Sequence, residues 1–294
     1  MKRSCGSAEQ PAHWLLDDSV PVATTNHISD LLMQSIDFHG WYTSARYAMV
    51  SKTWKQAVDK WRRQLKQLSH INCSAVNDAV LNVVAKSCPG LHTLDLGICQ
   101  VIKEGGITEC RSVRVTAAAL EAVAKGCPRL QHLNLAAGFQ MVTAKNMDEK
   151  VMPFVKYCPH LSFLDVSECC IGDNLLRGLA DKYPKLKHLD LNGCGSGVTD
   201  AGVLMVAKSC LKLEFLDIGD CNCSAVALQA GFPELRQLYV CMCDMDREDV
   251  LTAVMRGCPK LEELVGDIEE VDPHVEDIMV LLSQKMPWLE IDWL

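Results

Sequence analysis

Thiols are the first candidates for chemistry. Sixteen of the 294 residues are cysteine. The pairs Cys221-Asn-Cys223 and Cys241-Met-Cys243, with the doublet Cys169-Cys170, offer the soft ligands that tetrahedral zinc takes. Their spacing points elsewhere. Cys221 and Cys243 both fall on a wider periodic column of cysteines, so each is expected to be buried in a turn of its own. Cys223 and Cys241 are then the surplus members, too few for a metal site. Gly193-Cys-Gly195-Ser-Gly197 is glycine-rich but reads as a turn needing positive φ. The chain has no Gly-x-x-x-x-Gly-Lys-Ser/Thr, Gly-x-Gly-x-x-Gly or His-Glu-x-x-His. No cysteine has an obvious histidine and carboxylate set for nucleophilic work. Neither intrinsic catalysis nor a cofactor is expected.

The elements that would position these residues show themselves as a repeat. CPGLHTLDL begins at Cys88 and recurs as CPRLQHLNL from Cys127, CPHLSFLDV from Cys158 and YPKLKHLDL from Tyr183. CLKLEFLDI from Cys210, FPELRQLYV from Phe232, CPKLEELVG from Cys258 and a degenerate MPWLEIDWL from Met286 continue it. The intervals are 39, 31, 25, 27, 22, 26 and 28 residues. Leu-x-x-Leu-x-Leu alternates at period 2, as a strand with one buried face should. A stretch such as Thr116–Cys127 has apolar residues at spacings of 3 and 4, which predicts a helix with one buried stripe. Proline just after the cysteine ends it. Asp246, three residues before Asp249, and Asp272 before Pro273 mark further helix starts. The second cysteine column, three residues past the last strand leucine, comprises Cys99, Cys169, Cys194, Cys221 and Cys243, with Gly138 once in their place. A small, weakly polar group suits the turn that leaves the strand.

These eight copies resemble the cysteine-containing leucine-rich repeats found in F-box proteins and their relatives. The resemblance covers roughly residues 70–294. It implies an α/β leucine-rich-repeat solenoid, a horseshoe with parallel strands on the concave face and helices outside. Ahead of it, residues 1–26 read as a flexible segment and 27–66 as a helical one. Ala45-Arg-Tyr-Ala-Met-Val50-Ser51-Lys52-Thr-Trp54 resembles the end of an F-box, where that family shows Val-Cys-Lys-x-Trp. His27-Ile28 stands where the family opens with Leu-Pro, and Asp37-Phe38-His39-Gly40 breaks the middle. The resemblance implies that Leu31, Leu32, Ile36, Val50 and Trp54 dock on a Skp-family adaptor, linked in turn to a cullin. The chain would then be the substrate receptor of a cullin–RING ubiquitin ligase, with the chemistry carried by partner proteins. Two other readings of the segment stay open. One is a plain cap on the solenoid end. The other is a basic helix touching nucleic acid or anionic lipid, since residues 45–66 hold seven basic residues and one acidic. A repeat scaffold or regulatory binding protein outside the ubiquitin system is the alternative for the whole chain.

Composition agrees with a folded interaction module. Hydrophobic residues make up 49 % and charged residues 22 %, a profile unlike that of disordered chains. No run of about 20 apolar residues exists, and the N-terminus lacks a secretory pattern. The cysteines are therefore expected as free thiols in a reducing compartment, cytosol, nucleus or both. Net charge is -8, and residues 244–277 hold twelve acidic and three basic residues, which disfavours nucleic acid as a partner. No membrane partner is expected.

Strand periodicity also predicts a site. The residue before each of the last two strand leucines should face the concave surface. One column is Thr93, His132, Phe163, His188, Phe215, Gln237 and Glu263. The next is Asp95, Asn134, Asp165, Asp190, Asp217, Tyr239 and Val265. With strands ~4.8 Å apart, Phe163, His188 and Phe215 should form an exposed ridge beside an acidic row of Asp165, Asp190 and Asp217. Such a face would hold a protein substrate with a Lys/Arg-bearing segment, anchored by the aromatics and by Tyr239. Aspartate as a structural habit of this repeat explains the acidic row equally well. Residues 100–113, in the longest interval, are expected as a surface loop. Trp288 and Trp293 are expected to close the final core layer.

Overall fold

The computed structural model describes residues 66–68, 78–97, 100–102, 108–110, 115–136, 144–243, 245–267 and 273–293. Leu31, Leu32, Ile36, Val50 and Trp54 lie outside the described residues, as do Cys99 and Gly138.

In chain order the elements are β1 (Gln67–Leu68), α1 (Asp78–Ser87), β2 (Thr93–Asp95), β3 (Gln100–Ile102), β4 (Thr108–Cys110), α2 (Ala117–Gly126) and β5 (His132–Asn134). Next come α3 (Ala144–Tyr157), β6 (Phe163–Asp165), α4 (Asp173–Lys182), β7 (His188–Asp190), β8 (Gly195–Thr199), α5 (Asp200–Ser209), β9 (Phe215–Asp217) and β10 (Cys221–Asn222). A 3-10 turn (Ala225–Leu228), β11 (Gln237–Tyr239), α6 (Arg247–Gly257), β12 (Glu263–Gly266), α7 (Pro273–Lys285) and β13 (Glu290–Trp293) complete them.

Nine strands form one parallel sheet in the order β1-β2-β5-β6-β7-β9-β11-β12-β13. One strand per repeat is the physical consequence of a unit too small to bury its own apolar face. Leu91, Leu94 and Leu96 are each at most 1 % exposed, and their counterparts are buried through the repeat that begins at Cys258; in the final copy Leu289 and Ile291 are only partly buried. Burying a leucine contributes roughly 1.5–3 kcal/mol, so each unit depends on its neighbours. Helices pack ~8–10 Å apart whereas strands sit ~4.8 Å apart. The stack therefore bends with the sheet on its inner side.

The helix stripes follow the predicted spacing. α2 buries Ala119, Leu120, Val123 and Ala124, and Thr116 caps it by accepting the Ala119 amide. Asp246 caps α6 by accepting the amides of Glu248 and Asp249. The residue that opens each copy, cysteine or Tyr183, Phe232 or Met286, is buried at the turn ahead of the strand. Tyr183 keeps its hydroxyl satisfied by donating to the Phe154 and Cys158 carbonyls.

The sheet is also laced along its helical side. Asp78 accepts both the amide and the hydroxyl of Thr116, each at 2.8 Å. Asp173 does the same with Thr199, at 3.0 and 2.6 Å, and Asp200 with Ser224, both at 2.7 Å. Asp148, 7 % exposed, accepts the Gly172 amide. Each carboxylate thus fastens the start of the next repeat's helical segment.

Three expectations are corrected. The 22-residue interval from Cys210 leaves room for the 3-10 turn only, so that repeat has no α-helix. The insertion after β2 is not a plain loop, because β3 and β4 pair antiparallel as a hairpin. Trp288 is half exposed, 51 %, and does not close the core; its indole N–H donates to the Leu261 carbonyl at the sheet's end.

Candidate functional site: the concave sheet face

Parallel register puts the predicted columns in line. Thr93, His132, Phe163, His188, Phe215, Gln237 and Glu263 are successive partners across the sheet. So are Asp95, Asn134, Asp165, Asp190, Asp217, Tyr239 and Val265. This follows from one strand per repeat with no slip between repeats, since a slip of one residue would turn every side chain to the other face.

The first column is more than a row of neighbours. His132, Phe163, His188 and Phe215 stack ring on ring, with centroids 3.7, 3.9 and 3.9 Å apart and planes within 14°. The spacing is tighter than the strand spacing, so the side chains lean together. The rings are half-buried, not the exposed ridge expected, because each covers its neighbour's face. What remains outward is their edges. Tyr239 closes the row from the adjacent column, its ring tilted 35° to Phe215 at 5.4 Å. Its hydroxyl donates to Glu263 at 2.9 Å, and Gln237 donates to the other oxygen of Glu263 at 2.6 Å. Aromatic and carboxylate have exchanged columns at this point.

Burial between rings disfavours charge on the imidazoles. His188 is pulled down to about 4, by desolvation first and then by His132, and His132 is lowered for the same leading reason. Both shifts favour the neutral imidazole. Neither ring makes a hydrogen bond to protein among the described residues, and neither leaves a nitrogen buried without a partner, so these nitrogens meet solvent.

The acidic row has a structural duty that explains its recurrence. Asp95, Asp165, Asp190 and Asp217 each use Oδ1 to accept the amide two residues on, at 2.8–3.0 Å. Asn134 does the same with Ala136 at 2.9 Å. The side chain closes the turn out of the strand. Ser167 adds its hydroxyl to Asp165, and Asn192 reaches across to Asp217. Among the described residues, Oδ2 of Asp165 and of Asp190 remains unengaged, and no Lys or Arg pairs with the row. Desolvation raises all three carboxyls, Asp190 to about 7, where the charges of Asp165 and Asp217 add to it against the Asn192 amide. The column on the other side of the rings is charge-balanced: Lys187 pairs with Glu214 at 2.8 Å, and Arg236 with Glu262. The face is therefore polarised, with neutral rings in the middle and uncompensated carboxylates along one flank.

Thiols hold the rim without converging. Cys169, Cys194, Cys221 and Cys243 donate to the carbonyls of Leu135, Val166, Leu191 and Ile218, each in the preceding repeat. Cys223 donates to Val198. The residue before each of these four column cysteines has positive φ: Glu168, Gly193, Asp220 and Met242. Among the described residues no three metal-ligating side chains come together. The glycine-rich run turns at Gly193 and, from Gly195 on, is strand β8, which pairs with β10; Gly193 and Gly195 both have positive φ.

The fold and repeat define a leucine-rich-repeat protein. Residues 203–278 match a model of the leucine-rich repeats of an FBD-associated F-box protein, and 157–176 with 184–207 match a general leucine-rich-repeat model. The chain is also similar to F-box/LRR-repeat protein 4 of Bos taurus, 25 % identical over 204 residues. That match covers 63 % of this chain and 29 % of the relative, so the chain spans under a third of the relative's length. Among solved structures it is similar to the yeast Rad7 and Elc1 complex, with 16 % identity, a TM-score of 0.31 and coverage of 85 % of this chain and 83 % of that one. A TLR13–ssRNA13 complex gives 15 % identity, a TM-score of 0.44 and coverage of 80 % and 30 %.

Proposed function

We propose that the protein is a non-catalytic recognition subunit of an SCF-type cullin–RING ubiquitin ligase. In this reading the concave face holds a protein substrate through a Lys/Arg-bearing segment. Residues Leu31, Leu32, Ile36, Val50 and Trp54 dock a Skp-family adaptor, which bridges to the cullin. The observation that supports the recognition role is the polarised concave face: a rigid row of ring edges flanked by carboxylates with free oxygens and, among the described residues, no paired cation. Wherever neighbouring members of the row are both ionised, at ~4.8 Å spacing they repel by roughly 3 kcal/mol per pair at an effective dielectric of ~20, before solvent relief. A cationic partner relieves that repulsion. The ligase role draws support from the similarity to an F-box/LRR-repeat protein and from the F-box-like residues 45–54.

Co-purification tests it. The full chain should capture a Skp-family adaptor and a cullin in stoichiometric amount, and Trp54→Ala should lower capture at least tenfold with an unchanged circular-dichroism spectrum. A folded chain that captures neither is a repeat scaffold outside the ubiquitin system.

A further inference from the structure

The two histidines of the ring stack have a chemistry that the phenylalanines lack. A neutral imidazole carries one N–H donor and one bare acceptor nitrogen. Those of His132 and His188 meet solvent with no protein partner among the described residues, on a face where the flanking carboxylates already close turns. Two stacking steps of 3.7 and 3.9 Å separate the imidazoles, with the edge of Phe163 between them. An extended chain repeats its same-side carbonyl and amide groups every ~6.8 Å, a close match to that span. A chain lying edge-on along the stack would send its side chains sideways, alternately to the two flanks. On one flank is the salt-paired column of Lys187, Glu214, Arg236 and Glu262. On the other is the acidic row, within reach of a lysine or arginine.

We propose that His132 and His188 read the main chain of the partner. An extended segment crosses β5, β6, β7 and β9 with its carbonyl or amide groups on the two imidazoles. Its Lys or Arg side chains, at alternate positions, lie over Asp165, Asp190 and Asp217. The inference rests on the concave-face reading above and adds the conformation and sequence pattern of the segment recognised. It gives the histidines a specificity role, because a helical or block-charged segment cannot satisfy both rows at once. Burial lowers both imidazoles, His188 to about 4, and so favours the neutral form, which offers both a donor and an acceptor.

Two fluorescent octapeptides with equal lysine and serine content test this on the full chain. One alternates lysine with serine; the other places all its lysines ahead of its serines. Both are titrated by anisotropy at low salt. The alternating peptide should bind at least fivefold tighter. The double variant His132→Phe/His188→Phe keeps the ring stack and removes the nitrogens. It should weaken the alternating peptide about tenfold, the scale of two lost hydrogen bonds, and erase the preference. Asp190→Asn should weaken both peptides. Equal affinity for the two peptides, or an undiminished double variant, overturns main-chain reading while leaving a cation-binding face. If neither peptide binds while adaptor capture persists, this inference fails and the ligase role survives.

Discussion

Asp190 gives the sharpest test of the concave electrostatics. Its carboxyl is held at about 7, from an ordinary value of 3.8, by desolvation first and by Asp165 and Asp217 after that. An acid raised in the native state binds its proton more tightly folded than unfolded. Stability therefore falls as pH rises from about 4 to about 7, where the unfolded chain has released this proton and the native chain has not, and the full penalty persists above 7. At 1.36 kcal/mol per unit the penalty has an upper bound of about 4 kcal/mol; with solvent reaching Oδ2, we expect about 1–3 kcal/mol. Asp190→Asn removes the charge and keeps the turn. Asn134 already shows that an amide oxygen accepts the same i+2 amide in this sheet, at 2.9 Å. Urea unfolding of the full chain and of the variant should be followed at pH 5, 6, 7 and 8. The variant should be more stable by about 1–3 kcal/mol at pH 8, with the gap falling below half of that by pH 5. A variant no more stable than wild type at pH 8, or a gap independent of pH, would refute the reasoning.

Other expectations follow from the lacing between repeats and from the thiols. Asp173→Ala removes both bonds to Thr199 and should cost about 1–3 kcal/mol. Hydrogen exchange should then quicken at the start of α5 more than in α2. Cys88, Cys127, Cys158, Cys169, Cys194, Cys210 and Cys258 are buried, and burial pushes Cys127 and Cys158 up to about 12. Peptide mapping after iodoacetamide at pH 7.5 should find these seven unlabelled in the native chain and labelled in urea, with the partly exposed Cys170 labelled in both.

Much of the fold and site was legible in the residues themselves. Leu-x-x-Leu-x-Leu with a cysteine or aromatic at its head specifies a strand and the end of the preceding helix, because both depend on contacts within a few residues. The eight copies then imply a sheet with one strand per unit, and period 2 assigns Phe163, His188 and Phe215 to one line and Asp165, Asp190 and Asp217 to the next. A further signal lies in the residues too: an Asp at the first position of three helices, each matched by a Ser/Thr ahead of the next helical segment, Asp78 with Thr116, Asp173 with Thr199 and Asp200 with Ser224. Tertiary structure alone decided the rest. Whether the rings offer faces or edges depends on rotamers chosen against neighbours 25 to 31 residues away, and mutual stacking turned exposed aromatics into half-buried ones. Whether an aspartate is a free charge or a turn-closing acceptor depends on the path of its strand exit, and here Oδ1 went to the backbone while, among the described residues, Oδ2 of Asp165 and of Asp190 stayed unengaged. Trp288 remained half in solvent since the last strand has a neighbour on one side only. Local periodicity sets where side chains point; what they meet there is fixed by residues that only the stacked repeats bring alongside.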